Sequence, residues 1–342
     1  RENDRGERDD ILLAELVLEA MLERGTGHAI RIGGHRADRL VAQRGIHCVE
    51  LLPQRAGKHG RGQLAVRDLH RIEETLQRLK PPAWPEDLFG AVDKPLAAQG
   101  RALFAENCAG CHVPNVIEAN GRPEKQLKML PVAYIGTDPS SATNIADHRF
   151  DVSALQWDPA ELAKLDVKLQ PTPTEPLDLS QLSVAKGLAY VTAFVENRAY
   201  RDATITPAER PEMDGFALPI GVRERVAYKA RPLAGVWATA PFLHNGSVPN
   251  LYQLLSPQSE RASTFYKGTF EYDPQHLGYR TEAFDNGFLF DTRITGNHNS
   301  GHEFRAGERG NGVIGRLLQP QERWALLEYL KVLGGPLEAQ LP

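Results

Sequence analysis

Residues 108–112 read Cys-Ala-Gly-Cys-His. Two thiols three positions apart can each add to a haem vinyl group, and the histidine that follows is then placed to bind the iron from the proximal side. Cys108 and Cys111 are the expected anchors of one covalent haem c, and His112 the expected axial ligand. A zinc site would need a second Cys or His pair at ligand spacing, and the sequence holds no second Cys-x-x-Cys. A thioredoxin-like redox pair would need a βαβ setting, whereas the flanks here read as helix.

The flank on the N-terminal side, Leu96 to Phe104, has amphipathic helical spacing and runs directly into the motif. Gly100 and Phe104 fall one turn apart on one face. A glycine there lets a second helix approach closely, and Phe104 is expected to cover a haem edge or to pack in that same helix contact. A partner is visible near the other end of the chain. Pro320 suits a helix start, apolar residues recur at helical spacing through Leu330, and Gly334-Gly335 stop the run, so the closing helix is read as 320–333. This pairing resembles class I c-type cytochromes, in which a helix ending in Cys-x-x-Cys-His crosses a C-terminal helix. The resemblance implies a mainly α fold, a cytochrome c-like haem domain. Here it would carry long loop-rich insertions and a few short strands, because about 200 residues separate the two helices.

Composition divides the chain. Every aromatic residue lies at or after Trp84, and residues 1–65 are rich in Arg and Gly but nearly lack Lys. A segment without aromatics builds a poor core. Residues 1–65 are therefore read as a poorly specified extension, either a loosely packing natural one or a stretch not native to the protein. It contains Cys48, an odd thiol for an oxidising compartment. Residues 66–342 are read as the cytochrome domain. They open on a helix with apolar positions at Val66, Leu69, Ile72, Leu76 and Leu79. A second helix is expected over 182–194, loops over 113–175, and long loops with short strands over 260–315. No stretch of 18 apolar residues predicts a transmembrane helix. With a net charge of −4, no basic nucleic-acid patch is expected. Covalent haem attachment implies export, to the bacterial periplasm or beyond, although no signal peptide is visible.

A second signature lies at 229–255, where Gly-Val-Trp-Ala-Thr-Ala-Pro-Phe-Leu-His-Asn-Gly-Ser-Val-Pro-Asn, residues 235–250, is followed downstream by Gly301-His302-Glu303. The segment resembles that of the bacterial dihaem cytochrome c peroxidases and, more closely, the rubber-oxygenase-like dihaem cytochromes c. That resemblance covers about residues 66–342 and matches the second, C-terminal haem domain. Both families carry two Cys-x-x-Cys-His motifs where this chain has one, and in the rubber oxygenases the domain without a counterpart here carries the oxygen-binding haem. The rubber-oxygenase-like pattern implies His302 as distal ligand; Met129, Met213, His244 and His298 stay open as alternatives. His244 is otherwise expected at the haem edge, with Arg231 and Trp237 serving the propionates. Each has a plainer alternative: a hydrogen-bonded core residue for His244 and Trp237, a surface charge for Arg231.

Two imidazoles on one iron would leave no site for oxygen or peroxide, so the leading expectation is electron transfer, with a redox protein or a small donor or acceptor as partner. The alternatives are a peroxidase or dioxygenase, including one whose first haem domain is missing, and a non-catalytic interaction module. No GxGxxG, P-loop or GxSxG motif competes.

Overall fold

A computed structural model describes residues 66–342, except 120–121, 152–164, 166, 171–177, 179, 214–220 and 224–225. The extension read at 1–65 lies outside the described residues. Where the sequence is read as one domain over 66–342, the chain forms two compact units. One takes in Ile72–Thr143 and Arg225–Pro342; the described part of the other lies within 66–71 and 144–224.

The first unit is organised by two helices far apart in sequence. The entry helix, Lys94–Asn107, starts at Asp93, whose carboxylate accepts from the Leu96 amide, with Pro95 in the first turn. It buries Ala97, Gly100 and Phe104. The closing helix, Pro320–Val332, begins with Glu322 accepting from the Gln319 amide at 2.8 Å. The helices meet at Gly100, where a Cβ would lie 1.9 Å from the Ala325 carbonyl oxygen. Only a residue without a side chain permits that approach. Phe104 packs on Tyr329 with ring centres 5.3 Å apart, so it serves the helix crossing. Around the crossing lies the main apolar core, which includes Trp84, Trp237, Leu251, Leu318 and Leu326.

The closing helix also buries a charge. Arg323 is 4% exposed and reaches Ser256 Oγ at 2.8 Å and Glu260 Oε2 at 2.5 Å, tying the helix to the segment that follows the second signature. The rest of this unit, among the described residues, is loops, short helices and two-stranded ribbons. Lys128–Pro131 pairs antiparallel with Ala227–Ala230, and Thr264–Lys267 with Phe288–Asp291. The strands over 260–315 are short, as expected. The expectation of loops over 113–175 misses several short elements, among them the antiparallel pair of Asn115–Ala119 with Arg122–Gln126, the strand Lys128–Pro131 and the helix Ser140–Asp147.

In the other unit, the expected helix at 182–194 runs longer, as Val184–Asp202, capped by the Ser183 hydroxyl. Its Ala199 and Tyr200 pack with Val66 and Ile205. The helix Val66–Gln77 forms where its apolar spacing predicts, yet Leu69, Ile72 and Leu76 are exposed and only Val66 of that stripe is buried.

Candidate functional site

The entry helix ends at Asn107, and a four-residue helix, Ala109–His112, follows directly. Cys111 and His112 both donate their amides to the Cys108 carbonyl, at 3.1 and 3.0 Å, so one tight turn carries both thiols and the imidazole. Cys108 and Cys111 are free and half-buried. Burial, then the neighbouring Cys111, pushes the Cys108 thiol up to about 12.

The ribbon of Lys128–Pro131 with Ala227–Ala230 braces this turn. Lys128 Nζ donates to the Gly110 carbonyl, and the Arg231 carbonyl, one residue past the ribbon, lies 2.7 Å from His112 Nδ1. A carbonyl can only accept, so His112 Nδ1 carries the proton and Nε2 keeps its lone pair. Burial lowers the His112 pKa against the opposing pull of that carbonyl, which favours the neutral ring a metal requires. Arg231 thus contributes its main chain; its side chain is exposed.

His302 faces His112, their ring centres 6.1 Å apart and their planes inclined by 67°. A metal-bound imidazole has its ring centre about 3 Å from the ion, so two on opposite sides of one ion stand about 6 Å apart. The donor set and its spacing fit a haem iron between the rings. His302 Nδ1 is also buried with no hydrogen-bond partner, which marks an imidazole whose environment this chain's own atoms leave incomplete. Burial first, then the charges of His112 and Arg261, pushes the His302 pKa down to about 3, again the neutral form. The ring stands on strained backbone: His302 has φ +48° and Gly301 φ +72°. The His302 amide donates to the Ile135 carbonyl at 2.8 Å, and a Cβ on Gly301 would lie 2.3 Å from that same oxygen.

The other expected site residues take different parts. Trp237 is buried in the core, its Nε1 donating to the Pro82 carbonyl at 3.3 Å, so the indole N–H is already engaged within the protein. His244 is exposed and stacks on Tyr228 at 3.9 Å. Its neighbours, expected to face a haem edge, hold the distal loop instead. Asn245 Nδ2 donates to the Gly296 and His298 carbonyls at 3.1 and 3.0 Å, and Ser247 Oγ donates to the latter at 3.0 Å. His298 lies 3.1 Å from the carboxylate of Asp138. Met129 is exposed on its strand, and Met213 packs within the other unit beside Ala199 and Tyr200.

Two residues were missed by sequence reasoning. Asp138 is 1% exposed and accepts from the amides of Ser140, Gly296 and His298 at 2.8, 3.0 and 3.1 Å. Arg261 is 6% exposed and holds the carbonyls of Asn299, Gly301 and His302. Nothing in the local spacing marks either; only their side-chain types hinted at a paired charge.

A family model described as RoxA-like, cytochrome c-like matches residues 227–266, and one described as Cytochrome c matches residues 97–197. Uncharacterized protein y4iJ of Sinorhizobium fredii is 41% identical over 269 residues, which is 75% of this chain and 41% of that protein. Uncharacterized protein y4iM of the same organism is 30% identical over 272 residues, which is 76% of this chain and 52% of that protein. The chain spans about half or less of the length of these two curated relatives.

Proposed function

We propose that this chain, which matches RoxA-like and cytochrome c family models, is a rubber-oxygenase-like c-type cytochrome that holds one covalent haem c and transfers electrons through an iron that would be bound on both sides by imidazole. Cys108 and Cys111 are the thioether anchors, His112 the proximal ligand and His302 the distal one. The observation that carries this reading is the 6.1 Å spacing of two imidazole rings, one with its Nδ1 held 2.7 Å from the Arg231 carbonyl. When bound, the haem supplies one-electron chemistry, and two imidazoles favour a lower potential than a His/Met pair. The residues orient rather than react: the Arg231 carbonyl fixes one imidazole tautomer, and His302, as the second ligand, would leave a bound haem no open position for oxygen or peroxide. The site belongs outside the bacterial cytoplasm, with a redox protein or a small donor or acceptor as partner. Among the described residues no helix is long and apolar enough to cross a membrane.

A difference spectrum of the haem-loaded protein, with and without carbon monoxide, tests the reading. The intact chain should show about one non-extractable haem by pyridine haemochrome assay, a low-spin spectrum and little carbon monoxide binding. His302→Ala should become high-spin and bind carbon monoxide readily. Acid-extractable haem, or a low-spin His302→Ala, sinks the assignment. A second reading, as part of a peroxidase or dioxygenase, draws on the RoxA-like match at 227–266 and on the greater length of the relatives. Avid carbon monoxide binding by the unmutated ferrous protein would favour it.

A further inference from the structure

We infer that Arg261 is the positioning residue that keeps His302 on the iron, an inference that rests on the distal-ligand reading above. The guanidinium is nearly enclosed and makes six hydrogen bonds, all to main-chain carbonyls. Nε donates to Gln253 and Ser256, both at 3.2 Å, and Nη2 to Leu254 at 3.4 Å. These carbonyls lie on or just past the short helix Leu251–Leu254. On the other side Nη1 donates to Asn299 at 2.5 Å and Gly301 at 2.9 Å, and Nη2 to His302 at 3.0 Å. Carbonyls at a helix end carry partial negative charge, and a cation is the natural group to meet them. The planar fork therefore joins the end of the second sequence signature to the loop that presents the distal imidazole.

The loop requires this hold. His302 stands at positive φ, a conformation that side-chain-bearing residues rarely adopt, next to Gly301, which adopts one freely. On one side the loop rests on Ile135 and Gly136 through the His302 amide, the Ser300 hydroxyl, which donates to the Gly136 carbonyl at 3.1 Å, and the close approach of Gly301. On the other, the carbonyls of Asn299, Gly301 and His302 converge on one guanidinium. Lysine could supply the charge but not the fork, because its ammonium is a compact point charge without fixed planar donors. Burial lowers the Arg261 pKa to about 10, against the opposing effect of Glu303, so the group stays cationic at neutral pH.

Arg261→Gln and Arg261→Lys, made in the full haem-loaded chain beside His302→Ala, test the assignment. In a six-coordinate ferrous haem, carbon monoxide must wait for the distal histidine to leave. Glutamine cannot replace the three charge-assisted bonds to the loop, and the loss of even one should speed that step about tenfold, so Arg261→Gln should show at least that gain, with a smaller gain in Arg261→Lys. Arg261→Gln should also gain high-spin character, and added free imidazole should return its low-spin spectrum. If Arg261→Gln yields no folded holoprotein, the Arg261→Lys rate decides alone. Unchanged spectra and carbon monoxide rates in the folded variants, with His302→Ala high-spin, overturn the Arg261 role and leave the ligand reading intact. A His302→Ala that stays low-spin overturns both.

Discussion

Asp138 sits beneath the loop that leads to His302, its carboxylate 0% exposed and shared among three amides and the His298 ring. Burial by itself would raise its pKa, but the hydrogen bonds from Ser140, His298 and Gly296 outweigh it and hold the carboxyl below the ordinary 3.8. The ionised form is thus the one the fold stabilises. Its contribution is complete above the ordinary carboxylate value and is lost as pH falls through the lower folded one. Asp138→Asn puts an amide group where at least one amide donor needs an acceptor, and should cost about 2 kcal/mol at neutral pH. Thermal melts followed at the haem band should separate the two proteins at pH 7, and the gap should narrow as the pH is lowered below 3.8. A gap that does not change with pH would mean that the charge contributes nothing.

At the scale of elements, the crossing of the entry and closing helices is the contact with least tolerance. Gly100→Ala must displace the Ala325 carbonyl or part the helices, and should cost about 3 kcal/mol. The loss should show as an earlier melt of the haem-bound unit, with the helix signal of the other unit unchanged. Both helices were legible in the sequence because each writes a helical apolar spacing, from Leu96 to Phe104 and from Pro320 to Leu330, and the second also carries Pro320 at its start and Gly334-Gly335 past its end. The helix Ser140–Asp147 was not, because its only large apolar residue, Ile145, is itself exposed. Without a buried stripe no 3.6-residue period is written. The stripe of Val66–Gln77 shows the converse: its period is plain and predicts the helix, but three of its positions face outward. The candidate site was half legible for a similar reason. Cys108, Cys111 and His112 are neighbours in sequence, and one turn brings them together. Asp138, Arg231 and Arg261 act through contacts between residues distant in the chain, and in all three the main chain is one partner. Main-chain groups have no letter in the sequence.

For the molecule as a whole, residues 1–65 are the part we expect to be dispensable. A chain beginning just before Val66 should take up haem and melt within a few degrees of the full-length protein. Failure to recover soluble holoprotein would show that the extension is needed. This trim keeps Val66 among Ala199, Tyr200 and Ile205.

The contact of Gly100 with Ala325 also bears on how such a chain can grow. Bringing those two helices together closes a loop of more than 200 residues, yet closure entropy rises only with the logarithm of length, about 0.6 kcal/mol for each doubling. A segment a few times longer than a minimal cytochrome needs therefore costs the finished fold little. The penalty falls on the rate of folding, since a long-range contact must form before it is rewarded. A cofactor bonded beside the first helix and gripped by a residue shortly before the second would act as a cross-link, shortening the search the last helix has to make. Lengthening the exposed loops between the helices should accordingly slow refolding of the haem-free chain more than that of the haem-bound one.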